Sequence, residues 1–222
     1  MPRLLIAICC LLLLNQCNEK EVLLPVIPFD GIERIENHSS IWVFFETSEG
    51  DTLAVLNKNN KLINTNWIFN IDRRLPMKQV IPELENLQRD RNKDSMHKKE
   101  GMKNFFSYAD TKNQRISLVE FPEIEFAEYN GQEGATPIAH DSICLIPLLL
   151  SGENIQAGGR NYSLDQVNEI GEVIATCDSI SAPYFQLQYS GDLSFQQYLA
   201  ARAGLASAEL PIDNTEVILT LK

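Results

Sequence analysis

Between residues 184 and 205 the chain spells out one folding unit almost completely. Phe185, Leu187 and Tyr189 alternate with Gln186 and Gln188, the period-two signature of a strand with one dry face. Gly191-Asp192 ends that run, and Ser194-Phe195-Gln196-Gln197 is a capping box. In such a box the serine oxygen accepts from an early backbone N–H while the glutamine reaches back to the cap. Phe195, Tyr198 and Leu199 then share a helical face, and Gly204 can close the helix. A half-buried strand that feeds an amphipathic helix must lay the helix on its own sheet. The expectation is therefore an α+β layer architecture.

Similar punctuation runs through the rest of the chain. Ile143 to Leu150 is an apolar strand, Gly152-Glu153-Asn154 a turn, and Gly158-Gly159 precedes a short segment ending at Tyr162. Ser163-Leu164-Asp165-Gln166 is another capping box, followed by Leu164, Val167, Gly171 and Ile174 at helical spacing. Ala208–Ile212 and Glu216–Leu221 read as final strands. Residues 142–222 thus form an expected β-β-α-β-α-β sheet with helices on one face.

Residues 41–121 form another expected α+β unit, so the expected fold class is α+β in two small units. Ile41–Phe45 and Thr52–Leu56 make a hairpin around Thr47–Asp51, and Trp67–Ile71 is a third strand. Pro82 is placed as the first residue of a helix carrying Leu84 and Leu87. Arg89–Lys103 is a charged helix end or loop, and Ile116–Phe121 resumes as a strand. Residues 17–40, with Pro25 and Pro28, read as a tether. Residues 122–141, with Pro122, Gly131, Gly134 and Pro137, read as a linker.

The N-terminus is an address. Arg3 precedes an unbroken apolar run, Leu4 to Leu14, that spans about half of a ~30 Å hydrocarbon core. That suits a signal peptide over residues 1–16 better than a membrane span. Leu14-Asn15-Gln16-Cys17 resembles a lipobox, with Gln16 where that motif carries a small residue; the acidic stretch after Cys17 matches relaxed lipoboxes of some bacterial groups. The resemblance implies a Bacteroidetes-like lipoprotein whose Cys17 is acylated with palmitate-type chains. The protein is then expected in the cell envelope, on the outer membrane. Several acyl chains at ~0.8 kcal/mol per buried CH₂ make a stable anchor.

Charge narrows the partners. The formal net charge is −11, which disfavours nucleic acid because counterion displacement needs a basic surface. Residues 17–103 hold 13 basic and 14 acidic side chains, whereas residues 104–222 hold 5 and 16. Two units of different surface character follow.

Along residues 143–213 the order of elements resembles the periplasmic domain of the ExbD/TolR biopolymer-transport family. The resemblance rests on Gly152 in a hairpin, Tyr162-Ser163-Leu164-Asp165-Gln166-Val167 opening a helix, Tyr184–Tyr189, Gly191-Asp192, the Phe195–Leu199 helix and Ala203-Gly204-Leu205. It implies that fold, and binding to an envelope protein or cell-wall component. The family's proton-cycling aspartate sits on a membrane helix; here the apolar segment Leu4–Leu14 carries no acid. The proton-driven step does not carry over.

Candidate chemistry is sparse. Of five cysteines, Cys144 and Cys177 either pair as a disulfide or remain two buried thiols. His38, His97 and His140 are scattered, and no cofactor or metal site is expected. Glu120, Glu123, Glu125 and Glu128 lack the loop that organises calcium ligands and read as a solvated edge. Asp72-Arg73-Arg74 reads as a turn salt bridge. No nucleophile-elbow or phosphate-loop motif occurs, so no catalytic residue is assigned. Asp51-Thr52-Leu53, Asp94-Ser95-Met96, Asp141-Ser142-Ile143 and Asp178-Ser179-Ile180 resemble the O-glycosylation acceptors of Bacteroidetes envelope proteins, with Thr52, Ser95, Ser142 and Ser179 as acceptors. The expectation is a lipid-anchored binding or scaffolding protein. A solute- or glycan-binding lipoprotein with an aromatic pocket around Trp42 and Trp67 is the first alternative, and an envelope hydrolase the second.

Overall fold

The computed structural model describes residues 20–57, 59, 61–93, 101–129, 138–140, 143–176 and 182–219. They form an α+β fold with two mixed sheets. The first contains β1 (Val26–Ile27), β2 (His38–Ser48), β3 (Asp51–Leu56), β4 (Asn66–Ile71), β5 (Asn104–Asp110) and β6 (Arg115–Phe121). The second contains β7 (Glu125–Tyr129), β8 (Ile138–His140), β9 (Ile143–Ser151), β10 (Asn154–Ala157), β11 (Arg160–Ser163), β12 (Ala182–Ser190) and β13 (Thr215–Leu219). Helix α1 (Met77–Asn92) links β4 to β5, and α2 (Phe195–Ser207) links β12 to β13.

Each sheet repeats one path. The order β3-β2-β4-β5 in the first sheet matches β10-β9-β12-β13 in the second. In both, an antiparallel hairpin is followed by two parallel neighbours, with a helix between the third and fourth strands. The turns before the two helices face each other and exchange backbone hydrogen bonds reciprocally. Met77 N–H donates to Leu193 O (2.8 Å) and Phe195 N–H to Leu75 O (2.7 Å). Lys78 N–H donates to Gly191 O (2.7 Å) and Gln196 N–H to Arg73 O (3.1 Å). In every reciprocal pair the equivalent residues lie 118 positions apart, as 75 is from 193 and 78 from 196. The chain is a pseudo-twofold pair of one module.

The two units share one interior. Phe106 on β5 stacks on Phe121 (3.7 Å between ring centroids) and meets Phe195 of α2 edge-on at 5.4 Å. One contiguous apolar cluster runs from Trp67 and Phe69 to Tyr189 and Leu205. At roughly 25 cal/mol per Å² of apolar surface, this shared burial is the main adhesive between the units.

Four expectations need correction. The helix carrying Leu84 starts at Met77, so Pro82 lies inside α1. Pro82 has no N–H for the Lys78 carbonyl, but both residues are exposed, so water can take the place of that donor. The segment after Ser163 is a 3-10 helix, Leu164–Thr176. Over residues 164–173 its buried residues are Val167, Ile170 and Val173, three apart, which is the 3-10 period and not the expected step from Val167 to Gly171. Residues 208–212 contribute one bridge, Ile212 to Phe185, in place of a strand. The tether and the linker are docked: Ile27 is fully buried with β1 parallel to β5, and β7 joins the second sheet beside β13.

Candidate functional site

A fully buried cluster of ionisable groups lies inside the second unit. Inward alternation on β13 brings Glu216 and Ile218 to the core face, and helical spacing on α2 brings Arg202 above Tyr198. The Arg202 guanidinium bonds Glu216 Oε1, Tyr198 Oη donates to the same oxygen (3.0 Å), and Tyr189 Oη donates to Oε2 (2.6 Å). Glu216 is completely buried and Arg202 nearly so. Burial pushes the Glu216 carboxyl up, opposed by Arg202 and the two tyrosines. Burial also raises both phenols well above their ordinary range, so they stay donors. Three donors occupy three of the carboxylate's roughly four acceptor sites, and complete burial keeps a substrate from the remaining one. The network positions α2 on the sheet; none of the surface grooves described below reaches it.

The residues singled out in the sequence are not brought together. Trp67 is on the inner face of the first sheet, its Nε1–H donating to Leu62 O (2.8 Å) with Arg91 over its ring at 4.4 Å. Trp42 pairs with Asn70, one residue out of phase with the Trp67–Ser39 pair, and so lies on the opposite face. No aromatic pocket joins the two tryptophans. His38 sits exposed with Nδ1 near Ile35 O, and His140 lies on β8. Among the described residues no group of three or more His, Cys, Asp or Glu is placed to hold a metal ion. Asp72 is the turn salt bridge anticipated: Arg74 Nε donates to Oδ1 (2.8 Å) and Leu23 N–H to Oδ2 (3.1 Å). Burial pushes its carboxyl up, but these bonds hold it below the usual range.

Cys144 lies buried on β9 and is disulfide-bonded. The other four cysteines, including Cys177 and Cys17, lie outside the described residues, as do Ser95, Ser142 and Ser179. Thr52 is half-buried on β3, directly after the Glu49-Gly50 turn.

Two glutamine clamps were not anticipated. Gln88 Nε2–H donates to Ile124 O and accepts from Ile124 N–H, both at 2.9 Å. Gln196 does the same for Val26, at 2.9 and 2.8 Å. Each side-chain amide mimics a strand edge and ties an extended segment to a helix. Glutamine on a helix face carries no such signal in sequence. Comparison with known proteins returned no matching family model, no matching curated protein and no matching solved structure. Function therefore rests on the geometry.

What remains is surface relief at the unit boundary. One groove of about 370 Å³ runs between β6 and α2, lined by Asp30, Gly31, Ile32, Leu118, Ala203 and Ser207 among others. Between β7 and α1 lie grooves of about 610 and 490 Å³ that meet at Glu85 and Phe126. They are open and polar-rimmed, a shape suited to a polypeptide more than to an enclosed small molecule.

Proposed function

We propose that the protein is a lipid-anchored envelope component that binds or scaffolds another envelope molecule without catalysis. The observation that carries this reading is the disulfide at Cys144. Structural disulfides persist in oxidising compartments, so the bond supports export, in agreement with the signal segment and lipobox-like Leu14–Cys17. Cys177 is the partner we assign to it. Acylated Cys17 holds the chain on a membrane, and Thr52, Ser95, Ser142 and Ser179 are the proposed glycan acceptors.

The ExbD/TolR-like order over residues 143–213 supports a place beside a biopolymer-transport-type assembly. The repeat of that path in the first sheet extends the same argument to both halves. Among the described residues no helix is long and apolar enough to cross a membrane. The anchor is therefore tested directly, by intact mass of the membrane-extracted protein beside a Cys17→Ala variant. Loss of residues 1–16 with added acyl mass, abolished in the variant, is the expected result. An unacylated product in the soluble fraction overturns the reading.

A further inference from the structure

The pseudo-twofold provides an internal control for the two grooves. In each sheet a fifth strand follows the repeated path: β6 beyond β5, and β7 beyond β13. In each case the helix alongside belongs to the other unit. Ala203 and Ser207 of α2, which line the first groove, correspond at the 118-residue offset to Glu85 and Arg89 of α1, which line the second.

The first edge is filled by the chain itself. Ile32 and Leu118 of β6 exchange two backbone hydrogen bonds, 2.9 and 2.8 Å. Tyr108 Oη donates to Phe29 O (3.1 Å), and the Phe29 ring lies against Gly204 of α2, where a Cβ would approach it to 3.1 Å. Position 31 admits only glycine, because a Cβ there would stand 2.2 Å from Tyr108 Oη and 2.8 Å from Leu118 O. An extended segment laid along the edge strand and under the partner helix is thus a built feature of this architecture.

The second edge has no such segment among the described residues. Glu125 N–H donates to Asn214 O towards β13, so by strand alternation the N–H and C=O of Phe126 and Glu128 point the other way. The two grooves are lined by Glu85, Glu123, Glu125 and Glu128 against Lys78, Arg89 and Lys93. Lys78 and Lys93 are paired with Asp192 and Asp90, whereas none of the four glutamates forms an ion pair among the described residues. From Lys78 to Asn92 the wall of α1 is about 21 Å long, the reach of about six residues of strand.

We propose that the outer edge of β7, flanked by α1, docks an extended basic segment of a partner protein, added to the second sheet as a further strand. Backbone bonds to Phe126 and Glu128 give the pairing. An apolar residue over Phe126 and lysine or arginine beside Glu85, Glu125 and Glu128 give the preference. This deepens the proposed binding role and rests on it.

The test uses the full chain in detergent and two capped octapeptides, one of valine pairs alternating with lysine pairs, which puts both residue types on each face of the added strand, the other with glutamate in place of lysine. The lysine peptide is expected to bind at least tenfold tighter and to slow hydrogen exchange at Phe126 and Glu128. Glu128→Pro removes an outward donor that an edge strand does not need, so its melting temperature should hold while peptide affinity falls at least tenfold. Glu85→Lys, on an exposed helix face, should weaken the lysine peptide and spare the exchange pattern of the free protein. Equal binding of both peptides, protection elsewhere, or undiminished binding by Glu128→Pro overturns the proposal. So does a dimer that Glu128→Pro dissolves, which would give the edge to a second copy. Failure of peptide binding with Cys17 acylated removes the docking edge alone; an unacylated chain removes the envelope reading alone.

Discussion

At matching places the two units solve the same packing problem with opposite chemistry. Ile71, Val80 and Leu84 of the first unit correspond, 118 residues on, to Tyr189, Tyr198 and Arg202; the strand register pairs Phe106 with the place of Glu216. All eight are buried. One unit closes the junction between helix and sheet with hydrocarbon, the other with an ion pair and two hydroxyls. Apolar packing tolerates small slips of the helix, because dispersion is weakly directional. The charged version admits one arrangement, since any slip leaves a buried charge without its partner. The second unit is the one with the long insertion between its hairpin and β12, and its helix position is therefore the one with more alternatives to exclude.

The comparison is broken most directly at Glu216. Glu216→Leu leaves Arg202 buried and unpaired and should cost about 3–5 kcal/mol in urea unfolding. Adding Arg202→Leu, Tyr189→Phe and Tyr198→Phe removes the charge and both hydroxyls that Glu216 accepted from, installs the first unit's apolar solution and should recover most of that loss. A combined variant as unstable as the single one would mean that the two junctions are not equivalent.

Removing the disulfide with Cys144→Ser should lower stability by about 2–4 kcal/mol. The loss should appear as earlier exchange of β9 and β12 amides, with β2 and β4 unchanged if the units can loosen separately.

The two glutamine clamps sharpen the contrast further. Gln88 is buried and Gln196 is half-exposed. Gln88→Ala strands the Ile124 N–H and C=O away from water and should cost about 1–3 kcal/mol. Gln196→Ala leaves Val26 open to solvent and should cost under about 1 kcal/mol. Thermal melts of both variants measure the difference.

The smallest effect is electrostatic and confined to the first unit. Lys61 and Lys93 hold Asp90 at about 2, by side-chain hydrogen bonds first of all. Its equivalent position in the second unit is Ala208. A carboxyl lowered in the folded state stabilises it above the unfolded value near 3.9, and that contribution is lost as pH falls from about 4 to 2. Asp90→Asn should flatten the dependence of melting temperature on pH in that window, lowering the melting temperature by only a degree or two at pH 7, because the pair is partly exposed, and leaving it unchanged near pH 2.

Local chemistry was enough to find both strands of the first hairpin, the Ile143–Leu150 strand of the second, the Ser194–Gln197 cap and the α+β class. The cap is observed with both of its hydrogen bonds, because capping involves only residues three apart. The Ser163 box misled, since it specifies where a helix starts and not its pitch; the period of the buried residues decided for 3-10. Arg202 and Glu216 were invisible as a pair because they lie on different elements, each an ordinary charged residue until folding makes them neighbours.

The repeat itself was equally hidden. The two facing turns, Ile71-Asp72-Arg73-Arg74-Leu75-Pro76-Met77 and Tyr189-Ser190-Gly191-Asp192-Leu193-Ser194-Phe195, share one leucine. Backbone hydrogen bonds carry the symmetry, and they do not depend on side-chain identity. The sequence by itself determined the type of most elements, though not the 3-10 pitch of Leu164–Thr176, and it carries the expected export address, both written in runs of neighbouring residues. The pairing of two like modules, the burial of the apparent tether, and the filling of one sheet edge, with no such segment on the other among the described residues, were decided by tertiary structure. Those outcomes depend on which distant surfaces meet, and no local run of residues encodes that.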